Sequence, residues 1–219
     1  MYAKLPFDPK KDLRGVAMLA YSPHLLVVHP SVPANNLKEL VALSQTQPLS
    51  FAVTAIGSAP HLAGVAVEKA TKAKWTYIPY KGGSQAISDL MAGNAQVMFN
   101  GMLATYPAVK EGRLKAIAIS SAKRFAAAPD LPTVSESGVP GFETGSWQGI
   151  VAPAGTPPEV VKKLHDTVTA ILATPEMKEK LLASGAEVRA WSPEQFGLFI
   201  RDEKERWAKV VKESGAKFD

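Results

Sequence analysis

A run of apolar residues, Ala52-Val53-Thr54-Ala55-Ile56, stops at Gly57-Ser58-Ala59-Pro60-His61-Leu62-Ala63-Gly64, a small-residue turn that opens directly into helix-forming sequence. The chemistry such a turn offers is anion binding. A helix leaves its first backbone N–H groups unpaired and carries the positive end of its dipole there, so donors are expected at Gly57 and Ser58, with no bulky side chain to keep a carboxylate out. A second turn of the same kind, Tyr80-Lys81-Gly82-Gly83-Ser84-Gln85-Ala86, again lies between a short strand-like run and a helix-like one. Two such starts in one chain predict a binding cleft for a small anion.

Other chemistries fit these residues less well. Ser58 and His61 could be a nucleophile and its base, since a nucleophilic serine needs a nearby imidazole. Their three-residue spacing at a helix start suits Ser58 better as an N-cap, its hydroxyl accepting from an orphan N–H, and Gly57-Ser58-Ala59 is not a G-x-S-x-G elbow. In Gly82-Gly83-Ser84 the lysine, Lys81, precedes the glycines and no Gly-Lys-Ser/Thr follows, which argues against a nucleotide loop; the glycines either form a plain turn or bring further backbone donors to the same strand edge. The four histidines, His24, His29, His61 and His165, fall in separate elements without an i, i+4 pair, so neither a metal nor another cofactor is expected. Asn100 follows the apolar Val97-Met98-Phe99 and could reach a ligand from a strand's C-terminal end, or simply make a turn with Gly101. Trp147 could wall a ligand or pack against a lobe. Trp75, Trp191 and Trp207 are assigned to packing.

The elements that would hold these residues alternate between strand and helix, as in an α/β sheet. Strands are expected at Val16 to Ala20, Leu25 to His29, Ser50 to Val53, Thr76 to Ile78, Gln96 to Phe99, Lys115 to Ser120, Gly149 to Ala152 and Glu187 to Ala190. Capping boxes mark helix starts: Asn36 with Glu39 before Leu37 to Ser44, Thr156 with Glu159 before Pro157 to Ala173, and Ser192 with Gln195 before Pro193 to Glu213. Gly93, Gly112, Gly185 and Gly215 fall where helices should stop. A kink at Tyr21-Ser22-Pro23-His24 and the Pro/Gly-rich segment from Ala128 to Thr144 read as two crossovers. They would divide the chain into a central, ligand-contacting lobe II (22–145) and a lobe I made from both ends (1–21 and 146–219).

The chain has 219 residues, 46% hydrophobic and 21% charged, with no cysteine and a formal charge of +5. Disulfides, thiolate nucleophiles and cysteine zinc sites are therefore excluded. The positive balance favours anionic partners, but Lys and Arg alternate with Glu and Asp, so either small anions or plain solvation of helix faces accounts for it better than nucleic acid. The longest apolar stretch, Val16 to Val28, is broken by Ser22, Pro23 and His24, short of the ~20 residues a membrane helix needs. Met1 to Pro9 has no apolar core of a signal peptide, which predicts a cytoplasmic location if Met1 is the start.

Six segments in one order carry a family resemblance: Lys4-Leu5-Pro6-Phe7-Asp8-Pro9, the Gly57 to Ala63 turn, Pro79-Tyr80-Lys81-Gly82-Gly83, Asp89-Leu90-Met91-Ala92-Gly93, Pro132 to Gly141 and Ala152-Pro153-Ala154-Gly155-Thr156-Pro157. Over nearly its whole length the chain resembles the Bug-type solute-binding proteins of tripartite tricarboxylate transporters. The resemblance implies a two-lobed α/β periplasmic-binding-protein type II (Venus flytrap) fold that captures a small carboxylate, hands it to membrane permease subunits, and is not an enzyme. It places Thr54, Gly57, Ser58 and His61 at the ligand, with Gly82, Gly83 and Ser84 nearby and Asn100 where the family often has Asp. Relatives begin with a signal peptide and a strand, a Pro-Gly-Gly loop and a helix, none of which precedes Met1. A truncated member with an incomplete first lobe is thus expected, periplasmic by resemblance, binding weakly or not at all and self-associating through exposed edges of lobe I.

The ligand could be a di- or tricarboxylate, an amino acid or an aromatic acid. Two rival readings are a cytoplasmic ligand-sensing or protein-interaction lobe, which lacks a preceding DNA-binding helix-turn-helix, and a hydrolase using Ser58 and His61.

Overall fold

The computed structural model describes residues 6–9 and 11–214. Along the chain run β1 (Leu13–Val28), α1 (Leu37–Thr46), β2 (Leu49–Val53), α2 (Ala59–Thr71), β3 (Trp75–Pro79), α3 (Gly83–Met91), β4 (Val97–Gly101), α4 (Met102–Lys110), β5 (Lys115–Ile119), β6 (Gly145–Pro153), α5 (Pro158–Ala173), α6 (Pro175–Ala183), β7 (Glu187–Val188) and α7 (Pro193–Ser214). They form two compact units, Ser22–Ser146 and Met1–Tyr21 with Trp147–Asp219. Gly215, expected to stop the last helix, and Lys4-Leu5 of the first family segment lie outside the described residues.

In the Ser22–Ser146 unit the strands lie in the order β3-β2-β4-β1-β5. β2 is parallel to both β3 and β4, whereas β1 is antiparallel to β4 and β5. The alternation of side chains along a strand splits β1 between two cores. Leu26 and Val28 join Phe51, Phe99 and α1 and α2 residues on one face, while Leu25 and Val27 join Met98, Leu90 and Met102 on the other. Helices on both faces explain why these strands are apolar throughout rather than alternating. Two close approaches depend on glycine: a Cβ at Gly64 of α2 would come within 2.7 Å of Phe51 Cζ, and one at Gly149 of β6 would overlap the Phe196 ring.

In the other unit the first half of β1 pairs with β6 and β7, and Val16, Ala152 and Val161 form the centre of a small core. The two strands expected at Val16 to Ala20 and Leu25 to His29 are thus one continuous 16-residue strand. Pro23 does not end it, because it falls between the last pair with β7, Tyr21↔Glu187, and the first with β4, His24↔Gly101. There neither the β7 nor the β4 ladder calls on its missing N–H, and proline's fixed φ suits extended backbone.

Two of the three capping boxes contribute side-chain caps. Asn36 Oδ1 accepts from Glu39 N–H at 2.9 Å, and the Glu39 carboxylate accepts from the Asn35 backbone N–H and the Asn36 side-chain Nδ2, not from the Asn36 backbone N–H. Ser192 and Gln195 exchange bonds reciprocally, at 3.2 and 3.0 Å. At α5 the cap is Pro157, with no side-chain bond from Thr156. The reason is the second proline: Pro158 pushes the residue before it out of the helical region, so Pro157 is extended (ψ 139°) and the helix starts one residue later. The same restriction at Pro175 separates α5 from α6, the helix whose stop was expected at Gly185. Gly93, Gly112 and Gly185 all adopt positive φ at helix ends.

Candidate functional site

Eight of the nine residues expected at a ligand lie in the Ser22–Ser146 unit, around the C-terminal ends of β2, β3 and β4. Register brings these ends together: Ala52 is level with Ile78 on one side and Met98 on the other, so two residues on Thr54 stands between Tyr80 and Asn100. A Cβ built on Gly83 would lie 3.7 Å from Asn100 Nδ2 and 3.8 Å from Thr54 Cγ2. Three segments distant in sequence therefore meet at one spot.

Asn100 is only 9% exposed, and its carboxamide is not among the fully buried unpaired side-chain groups of the described residues, which are Trp75 Nε1 and Gln148 Oε1. Beside Asn100, Gly82 caps α3 with no side chain, and the first-turn N–H groups of Gly83, Ser84 and Gln85 have no backbone acceptor. Donors from a helix start and from a side chain thus converge. Tyr80 borders this spot, its hydroxyl pushed upward by burial and by a hydrogen bond to Asp89.

The turn before α2 differs from its expected form. Gly57 N–H donates to His61 Nδ1 at 2.8 Å and Ser58 N–H to Ala55 O at 3.1 Å, so neither is a free donor. Ser58 is the N-cap by position, but its hydroxyl makes no capping bond and lies 3.4 Å from Thr54 Oγ1. The open first-turn amides are those of Ala59 and His61, Pro60 having none. With Oγ beside Thr54 and Nδ1 occupied by an amide, Ser58 and His61 lack the nucleophile–base contact a hydrolase needs.

His61 is held from two sides. Its ring stands edge-on to Tyr77, centroids 5.1 Å apart at 85°, and Tyr77 donates its hydroxyl to Glu68 Oε2 at 2.8 Å. Burial lowers the imidazole's pKa, with the Glu68 charge opposing. Burial, reinforced by Glu68, pushes the Tyr77 hydroxyl far up. Tyr77 and Glu68 carry no motif and were legible only as a strand residue and a helix-face charge.

The other histidines do not join this site. His24, fully buried, bonds Thr144 Oγ1 through Nδ1 and Ser146 Oγ through Nε2, both at 3.0 Å, and burial lowers its pKa to about 4. His29 pairs with Ser31, and His165 reaches Val16 O. Among the described residues no cluster of acids and histidines could hold a metal, and no helix is long and apolar enough to cross a membrane. Trp147, the ninth expected residue, belongs to the other unit, where it packs edge-on against Phe196 and Phe199, both at 5.6 Å. There it lines a groove of about 640 Å³ with Leu13, Arg14, Val151, Leu198 and Arg201, which no sequence motif announces.

A model of the tripartite tricarboxylate transporter family receptor matches residues 1–216. BugT of Bordetella pertussis is 34% identical over 215 residues, covering 97% of this chain and 66% of its own length. The chain spans 64% to 66% of the length of the first curated relatives it matches. Among solved structures, an R. palustris protein with adipate superposes with a TM-score of 0.93 at 34% identity, over 99% of this chain and 73% of that one. MatC from Rhodopseudomonas palustris with bound malate gives 0.85 at 31%, over 96% and 73%. The α/β fold is that of type II periplasmic binding proteins.

Proposed function

Because the chain belongs to the tripartite tricarboxylate transporter receptor family, we propose that it is a periplasmic receptor that captures a small dicarboxylate and delivers it to the permease subunits of a secondary transporter. The ligand wall in this reading is Thr54, Ser58, Gly82, Gly83, Ser84 and Asn100, with Gly57 and His61 shaping the turn before α2. The observation that carries it is the convergence of the nearly buried Asn100 carboxamide and Thr54 on the side-chain-free start of α3. Relatives solved with adipate and with malate support a dicarboxylate over other anions. Binding rather than turnover fits relatives that are solute-binding proteins.

The magnitudes suit modest affinity from this chain. A helix N-terminus contributes roughly 0.3 to 2 kcal/mol to a carboxylate and a charge-assisted hydrogen bond about 1.5 to 3 kcal/mol. One or two such bonds with one dipole reach the ~4 kcal/mol of a millimolar complex. Calorimetry with adipate, malate and adipamide, the uncharged diamide of adipate, tests the reading. Millimolar binding of the diacids and none of the diamide is expected; equal response to the diamide, or no response to either acid at tens of millimolar, overturns it.

A further inference from the structure

We propose that His61 is a positioning residue of this anion site, a neutral imidazole that locks the Gly57–Ser58 turn and releases it on protonation. The inference rests on the carboxylate-receptor reading for its functional consequence, whereas the lock itself stands on geometry. Gly57 N–H points at Nδ1 from 2.8 Å, so Nδ1 is the acceptor and the ring proton is on Nε2. A second proton can enter only at Nδ1, where it would face the Gly57 N–H across a hydrogen-bond distance. Two donors cannot share that gap, so the imidazolium and the folded turn exclude each other.

The turn matters because it decides which groups face outward. With Gly57 N–H held inward and Ser58 N–H on Ala55 O, the chain enters α2 with Ser58 Oγ directed toward Thr54 and with the Ala59 and His61 amides as first-turn donors. Gly57 is buried and has φ 73°, a conformation that glycine adopts without strain and that the imidazole holds from the next helical turn. The ring cannot swing away easily: Tyr77 on β3 meets it edge-on and is itself tied to Glu68 on α2. Tyr77 and Glu68 are the titratable groups that face the ring; Glu68 favours the cation, yet burial outweighs it and keeps the imidazole neutral near pH 7.

The sign of the pH effect separates this role from a direct one. A histidine touching the ligand would bind a carboxylate more tightly once protonated, whereas a lock loses the turn and weakens capture as pH falls below the ordinary imidazole value. Asn places its Oδ1 where His places Nδ1 but does not titrate, so His61→Asn keeps the acceptor and His61→Leu removes it. In the ligand-free protein, NMR of the Gly57 amide from pH 7.5 to 4.5 should show it titrating in step with the His61 ring, staying constant in His61→Asn. In calorimetry at pH 7.5, His61→Leu should weaken adipate binding about tenfold, the loss of one such bond, while His61→Asn recovers it to within about threefold. Between pH 6.5 and 5 the wild type should lose affinity relative to His61→Asn. A Gly57 amide indifferent to His61 titration overturns the lock, as does a wild type that gains on His61→Asn with falling pH. A titrating Gly57 amide without adipate or malate binding upholds the lock and rejects the carboxylate reading instead.

Discussion

A methyl group added at Gly83 would lie at ordinary contact distance from Asn100 Nδ2 and Thr54 Cγ2, filling space without a clash. Gly83→Ala should therefore keep the fold, gaining up to roughly 0.4 to 1 kcal/mol from the stiffer unfolded chain, while weakening adipate binding. Thermal melts and calorimetry on one sample check these opposite signs. His24 makes a second prediction. Its folded pKa of about 4 lies below the ordinary 6.5, so the unfolded chain binds the extra proton first and the native state loses stability as pH falls from 6.5 through 4. The full shift corresponds to about 3 kcal/mol. Urea denaturation from pH 7 to 4 should show this fall in the wild type and a shallower one in His24→Asn, the carboxylates being common to both.

At the scale of elements, the helix starts separate sequence pattern from realised geometry. Ser192 and Thr156 occupy the same place in the same capping pattern, yet only Ser192 accepts from its helix. Ser192→Ala should cost about 1 kcal/mol, and Thr156→Ala should stay within about 0.5 kcal/mol; chemical denaturation of the two variants measures both. The strands divide similarly. β2, β4 and β5 are apolar enough to be read at once, whereas β1 looks like two strands because a proline lies in it. Only the pairing partners reveal that Pro23 occupies the gap between two ladders.

For the molecule as a whole, unit Met1–Tyr21 with Trp147–Asp219 leaves an apolar stripe on α5, where Val160, Leu164 and Ile171 are 43%, 44% and 51% exposed on one helical face. Such a stripe ordinarily faces a partner surface. Self-association is the expected result, read by sedimentation as a weight-average mass that rises above 23.4 kDa with concentration and returns toward it in Leu164→Lys. Mass independent of concentration would remove that expectation.

The residue types of the two turns, the α/β alternation and the six ordered segments were legible without coordinates, because small residues before helix-forming sequence and apolar strand runs are local signals that neighbouring residues suffice to write. The family followed from them. Which donors face outward did not, since that depends on contacts a linear pattern does not record: His61 taking the Gly57 amide, Thr54 drawing the Ser58 hydroxyl, Tyr77 and Glu68 bracing the imidazole, and the parallel register that brings Thr54, Gly83 and Asn100 to one sheet end. Hydrogen bonds within a turn compete with its ligand for the same amides, and only the packed tertiary structure decides that competition.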